Sequence, residues 1–75
     1  MATTQLDAKG LICPLPVLKA RRAMKAMAAG DVLEVEATDP GSVKDFEHFC
    51  ETTGNRLLDA SEAEGIFSYR IEKVG

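Results

Sequence analysis

The chain alternates between two hydrophobic periods, and each change of period marks an element. Residues 4–8 place Leu6 and Ala8 at alternate positions, the spacing of a short half-buried strand. From Pro14 to Ala28 the spacing lengthens. Val17, Ala20, Met24, Met27 and Ala28 recur on one side of a 3.6-residue repeat, with Pro16 and Ala23 at its edge. Lys19, Arg21, Arg22 and Lys25 take the other side, with Leu15 and Leu18 among them. This predicts a helix over 14–28, closed by a left-handed Gly30. Val32 to Thr38 alternates again, setting Leu33, Val35 and Ala37 against Glu34 and Glu36, as a strand covered on one side does. Val43, Phe46, Phe49, Cys50 and Thr53 restore the helical spacing up to Gly54-Asn55. Arg56 to Ala60 and Ile66 to Val74 read as two closing strands around a turn at 61–65.

The element order is thus βαβαββ. Its first three members form a βαβ unit, which crosses over right-handedly. With both helices on one face of a mixed four-stranded sheet, the fold class is a two-layer α/β (α+β) sandwich. The second helix opens at Asp39-Pro40-Gly41-Ser42 in one of two ways. Either Asp39 caps with Pro40 behind it, or Ser42 caps with Asp45 as its capping-box partner. Met1 to Gln5 is polar and is expected to fray.

The junction between the first strand and the first helix carries the chemistry. Cys13 stands before Pro14, a residue suited to the first helical position because its missing N–H is no loss there. This predicts Cys13 as the N-cap, its sulfur held by the Leu15 N–H at the positive end of a helix. Thiols in such places are acidified. A helix terminus contributes about 0.3–1 kcal/mol, up to ~2 when partly buried, so the expected drop is about one pKa unit. Pro16 removes a second donor and so leaves the sulfur weakly held. The plainer reading is a small thiol that merely fills the turn. Cys50, on the apolar stripe of the second helix, reads as a buried small hydrophobe, and His48 as solvated.

Composition narrows the classes. Seventy-five residues make one domain, spanning 1–75, with too small a core for a large internal active site. No apolar run approaches a membrane span, and the N-terminus lacks a signal-peptide pattern, so the expected compartment is the cytoplasm. Two cysteines and one histidine make neither a disulfide scaffold nor a zinc site, so no metal or dissociable cofactor is expected. The net charge of −3 conceals an asymmetry. Lys9, Lys19, Arg21, Arg22 and Lys25 face only Asp7 in the first 27 residues, whereas acids dominate the rest. Such a dipole steers partners onto one end. The basic helix has no aromatic residue for base stacking, so nucleic acid is not the expected partner.

The run Leu6-Asp7-x-x-Gly10-Leu11-x-Cys13-Pro14-x-Pro16-Val17, followed by Arg21-Arg22, resembles the signature of the TusA/SirA family of small sulfur-carrier proteins. Thr38-Asp39-Pro40-Gly41-Ser42-Val43-Lys44-Asp45-Phe46 is similar to the start of that family's second helix. The resemblance covers essentially the whole chain. It implies a cytoplasmic carrier, monomeric when free, holding sulfur as a covalent persulfide on Cys13 and acting stoichiometrically with partner enzymes. A cysteine desulfurase or rhodanese would supply the sulfur, and an acceptor protein in tRNA thiolation, cofactor assembly or sulfur oxidation would take it. Pro14, Leu15 and Pro16 would form the motif around the cap, and Lys19, Arg21, Arg22 and Asp45 would dock partners. With no Cys-x-x-Cys, a thioredoxin-like exchanger is disfavoured. The alternative is a regulatory or protein-binding module in which Cys13 is incidental.

Overall fold

The computed structural model describes residues 2–74. Its elements are β1 (Thr3–Ala8), α1 (Leu15–Lys25), β2 (Val32–Ala37), α2 (Ser42–Thr53), β3 (Arg56–Ala63) and β4 (Ile66–Glu72). The sheet order is β1-β2-β4-β3, a point on which the hydrophobic pattern was silent. β1 and β2 are parallel, with Leu6 opposite Val35 and Ala8 opposite Ala37. β4 lies antiparallel to both of its neighbours. The mixed four-stranded sheet and the two helices are those that the two periods require.

The alternation decides which face is covered. Ala8, Leu33, Val35, Ala37, Tyr69 and Ile71 are buried, and they meet Ala20 and Met24 of α1 and Phe46 and Phe49 of α2. Each fully buried large apolar side chain contributes roughly 1.5–3 kcal/mol. Tyr69 stacks on Phe46 with ring centroids 4.5 Å apart, and its hydroxyl is 2.8 Å from that of Ser42. Two buried hydroxyls thus satisfy each other, as burial demands. The opposite face carries Gln5, Glu34, Glu36 and Arg70, with Arg70 and Glu34 paired at 3.3 Å. Exposed pairs of this kind are worth about 0–1 kcal/mol, so this face adds little to what holds the sheet together.

Several boundaries differ from expectation. Residues 3–5 do not fray, because the parallel ladder pairs Thr3 with Val32 and Gln5 with Glu34; Met1 lies outside the described residues. α1 spans 15–25, not 14–28, and Ala28 is exposed. Gly30 is left-handed, with φ +93°, but it belongs to a later turn closed by the Asp31 N–H on the Ala28 carbonyl. The end of α1 is met from β4's side: Lys73 Nζ donates to the Met24 and Met27 carbonyls at 2.7 and 2.6 Å. That is a cation where the helix dipole favours one. Neither Asp39 nor Ser42 caps α2. Gly41 occupies the cap position, Ser42 is spent on Tyr69, and Asp39 is turned toward the first loop. Thr53 is exposed and donates its hydroxyl hydrogen to the Phe49 carbonyl. The final turn is tighter than 61–65. Glu64 and Gly65 both have positive φ, the two-residue geometry that matches strand twist, so β3 continues to Ala63.

Candidate functional site: a thiol at the edge of two parallel strands

Because β1 and β2 are parallel, the loops that follow them leave the sheet at the same edge, where ligands of such units gather. Polar contacts stitch the two loops together. The Gly10 N–H donates to Thr38 Oγ1 at 2.9 Å, and the Cys13 N–H donates to Asp39 Oδ2 at 2.6 Å. Asp39 Oδ1 also accepts the Gly41 N–H at 3.2 Å, an Asx-turn that fixes the carboxylate. The Cys13 thiol, exposed to solvent, donates its S–H to Asp45 Oδ2 on the first turn of α2. The Cys13–Pro14 peptide is cis.

This geometry corrects the expected helix start. Pro14, not Cys13, occupies the cap position, with Leu15 first and Pro16 second in α1. The Leu15 N–H, expected to hold the sulfur, instead donates to the Ile12 carbonyl at 2.9 Å and closes a turn. With that donor used, the sulfur turns across to α2. Its ionisation changes sign accordingly. The thiol is pushed above its ordinary pKa, first by its hydrogen bond to Asp45, then by desolvation, then by the charges of Asp45 and Asp39. Below that titration the sulfur is a neutral S–H, not a thiolate.

Beyond these two carboxylates, the first loop and α1 expose apolar and basic side chains. Ile12, Leu15 and Leu18 are exposed at 70, 46 and 50%, a concentration of large apolar side chains near one thiol. The expected exposure of Leu15 and Leu18 is therefore present, and Ile12 joins them. A groove of about 260 Å³ runs between the helices, lined by Pro14, Val17, Arg21, Asp45, His48 and Phe49. The Arg21 guanidinium lies 5.9 Å from the centre of the Phe49 ring. Arg22 is exposed on α1. Lys19 is engaged within the protein, its ammonium donating to the Asp7 carbonyl at 2.7 Å and fastening α1 to β1. His48 is exposed, with Thr52 Oγ1 at 3.4 Å.

Cys50 differs in access and in the cause of its shift. It is 5% exposed, sits in the core, and has its thiol pKa pushed up by burial alone. Among the described residues, no three His, Cys, Asp or Glu side chains are grouped to hold a metal ion. Nor is any helix there long and apolar enough to cross a membrane.

From the sequence, Asp39 is one of two candidate caps for the second helix, and Asp45 is expected in a capping box with Ser42 or at partners; the structure brings both to Cys13. The usable signal was Asp39-Pro40-Gly41 directly after a strand parallel to β1: an Asx-turn there points one carboxylate oxygen at the neighbouring loop.

The fold and the loop edge first define a structural class. A SirA-like protein from Desulfitobacterium hafniense has the same architecture, with a TM-score of 0.80, 27% identity and full coverage of both chains. The family described as Sulfurtransferase TusA matches residues 4–73, and the chain belongs to the TusA/SirA family. It is 54% identical over 69 residues to the sulfur carrier protein TusA of Allochromatium vinosum, covering 92% of this chain and 91% of that one. It is 44% identical over 68 residues to the TusA of Pseudomonas putida, covering 91% and 85%.

Proposed function

We propose that this protein is a sulfur carrier that takes sulfur as a persulfide on Cys13 and relays it to an acceptor protein. The observation behind this reading is the contrast in access between its cysteines: Cys13 is exposed at the loop edge, and Cys50 is buried. The relatives named sulfur carriers supply the class of cargo. In the loading step the Cys13 sulfur attacks the outer sulfur of a donor persulfide. One S–S bond forms on Cys13 as the donor's S–S bond breaks. The donor cysteine leaves as a thiol, taking up the proton that Cys13 gives up, so no oxidant or reductant is consumed. Discharge repeats the exchange with an acceptor thiol. One cysteine suffices, because the sulfur departs with the acceptor.

Donors of this chemistry are cysteine desulfurases and rhodaneses, and a reducing cytoplasm suits an exposed free thiol. Arg21, Arg22 and the exposed Ile12, Leu15 and Leu18 form the docking surface around the sulfur. The choice among tRNA thiolation, cofactor assembly and sulfur oxidation lies with the acceptor, not with this chain.

The test is mass spectrometry after incubation with a persulfide donor. Wild type and Cys50→Ala gain sulfur, and Cys13→Ser gains none. An unchanged wild-type mass would favour a module that docks proteins without carrying sulfur.

A further inference from the structure

Asp45 touches the sulfur that the carrier chemistry uses, and its contact distinguishes the two states of that sulfur. In the empty protein the Cys13 S–H donates to the Asp45 carboxylate, and the Cys13 N–H is held by Asp39. A persulfide is more acidic than the thiol from which it is made, so the loaded group is an anion near neutral pH. Such an anion has no hydrogen to give to Asp45 and carries the same charge. The terminus of α1 does not compensate through its first N–H, which is already bound to the Ile12 carbonyl. The other charged or titratable side chains lining the adjoining groove are Arg21 and His48, which share it with Asp45.

We propose that Asp45 is the residue that makes this protein give sulfur away: its carboxylate stabilises the empty thiol and repels the loaded persulfide anion. The inference rests on the sulfur-carrier reading and deepens it. Loading removes the S–H···O contact and places two negative charges side by side, so the outer sulfur swings from Asp45 toward solvent, where an acceptor thiol reaches it. The exchange itself is unaltered in its balance. One S–S bond breaks and one forms, and the acceptor's proton ends on Cys13, where Asp45 again accepts the hydrogen bond. Asp45 thereby lowers the free energy of the discharged protein relative to the charged one. A carrier needs that bias, because one that binds sulfur too firmly delivers none.

The magnitude follows from charge interaction at a solvent-exposed site. Two unit charges about 4 Å apart interact weakly in water and more strongly near a protein surface, enough for roughly a five- to tenfold bias. The experiment equilibrates protein with a fixed ratio of glutathione persulfide to glutathione near neutral pH. The ratio of loaded to empty Cys13 is read by intact mass for wild type, Asp45→Asn, Asp45→Ser and Glu47→Gln. Glu47 is exposed on the same helix and changes net charge equally, away from the sulfur contact. Circular dichroism establishes which variants are folded, and two substitutions at 45 guard against one that is not. The same proteins are alkylated across pH to titrate the thiol.

Both Asp45 variants shift the loading ratio roughly five- to tenfold toward the persulfide and lower the thiol pKa, and Glu47→Gln leaves both near wild type. A loading ratio unchanged in folded Asp45 variants overturns the discharge role, whatever the thiol titration does. An equal shift in Glu47→Gln overturns it too, by showing a nonspecific effect of net charge. No loading in any of the proteins overturns the carrier reading itself, and this inference with it.

Discussion

Cys13 and Cys50 are both harder to ionise than an ordinary thiol, yet nothing else about them is alike. Cys50 is raised because the core strips water from it, and its side chain belongs to the buried cluster. Cys13 is raised chiefly because a carboxylate accepts a hydrogen bond from its S–H, while its sulfur stays open to solvent. The direction of a pKa shift therefore does not distinguish an inert thiol from a working one. Its cause does. Desolvation acting alone goes with inaccessibility, whereas a hydrogen-bond partner can be exchanged as the sulfur changes state. In the family to which this chain belongs, access to the cysteine is the property that sulfur exchange between proteins would need most.

The largest expected effect breaks the comparison directly. Under conditions that hold the protein folded, iodoacetamide should modify Cys13 and leave Cys50 untouched until the core opens. Core opening is rare in a stable domain, so the two rates should differ by roughly 10³-fold or more. Peptide mapping of the time course measures this. Comparable rates would mean that the core around Cys50 opens locally, and the contrast would be lost.

Substitution by serine should separate the same two positions on stability. At Cys50, a hydroxyl would replace a buried thiol in the apolar core, costing about 1–3 kcal/mol. At exposed Cys13, serine keeps a donor for Asp45 and should leave stability near that of wild type. Urea denaturation gives both numbers. The pH dependence carries the same sign for both thiols. A folded pKa raised above the unfolded one contributes stability below the unfolded value, and this is lost as pH rises through the folded value. Stability should therefore fall on the alkaline side, and Cys50→Ala should flatten part of that fall. A stability rising with pH across this window would refute the assigned shifts.

Charge reversal on α1 should act chiefly on rates. Arg21→Glu with Arg22→Glu should slow sulfur transfer from a protein donor by roughly tenfold at low salt, with the difference shrinking as salt rises. Loading from a small persulfide should persist. Stopped-flow transfer at two ionic strengths reads the effect, and equal rates at low salt would remove these arginines from docking.

How much of this was legible in the chain follows from the range of the interactions. The elements were readable because periodicity is local: Leu33, Val35 and Ala37 announce a one-sided strand by themselves. The terminal details were less so, because distant groups decide them. Lys73 closes α1 from 46 and 49 residues away, and the β2 ladder orders residues 3–5. The site depended most on range. Asp39 and Asp45 lie 26 and 32 residues beyond Cys13, and only the parallel pairing of β1 with β2 brings them to the thiol. A local argument saw a cysteine before a helix and assigned it the helix dipole. Two carboxylates from the next loop and helix outweigh that dipole.

The smallest expected effect is the sharpest check of that last point. Pro16 is fully buried at the second position of α1 and has no N–H. Were the sulfur the helix cap, Pro16→Ala would restore a donor to it, stabilise the thiolate and lower the pKa. In this structure the cap position belongs to Pro14 and the sulfur faces Asp45 on another helix, so the new N–H has no sulfur to reach. The substitution removes two buried methylenes at about 0.8 kcal/mol each, and loosens the unfolded chain by about 0.4–1 kcal/mol. Pro16→Ala should therefore lose about 2 kcal/mol of stability, by those same terms, while its Cys13 alkylation profile superimposes on wild type. A lowered thiol pKa in folded Pro16→Ala would return the sulfur to the end of α1 and detach it from Asp45. The contrast between the two cysteines would then rest on exposure alone.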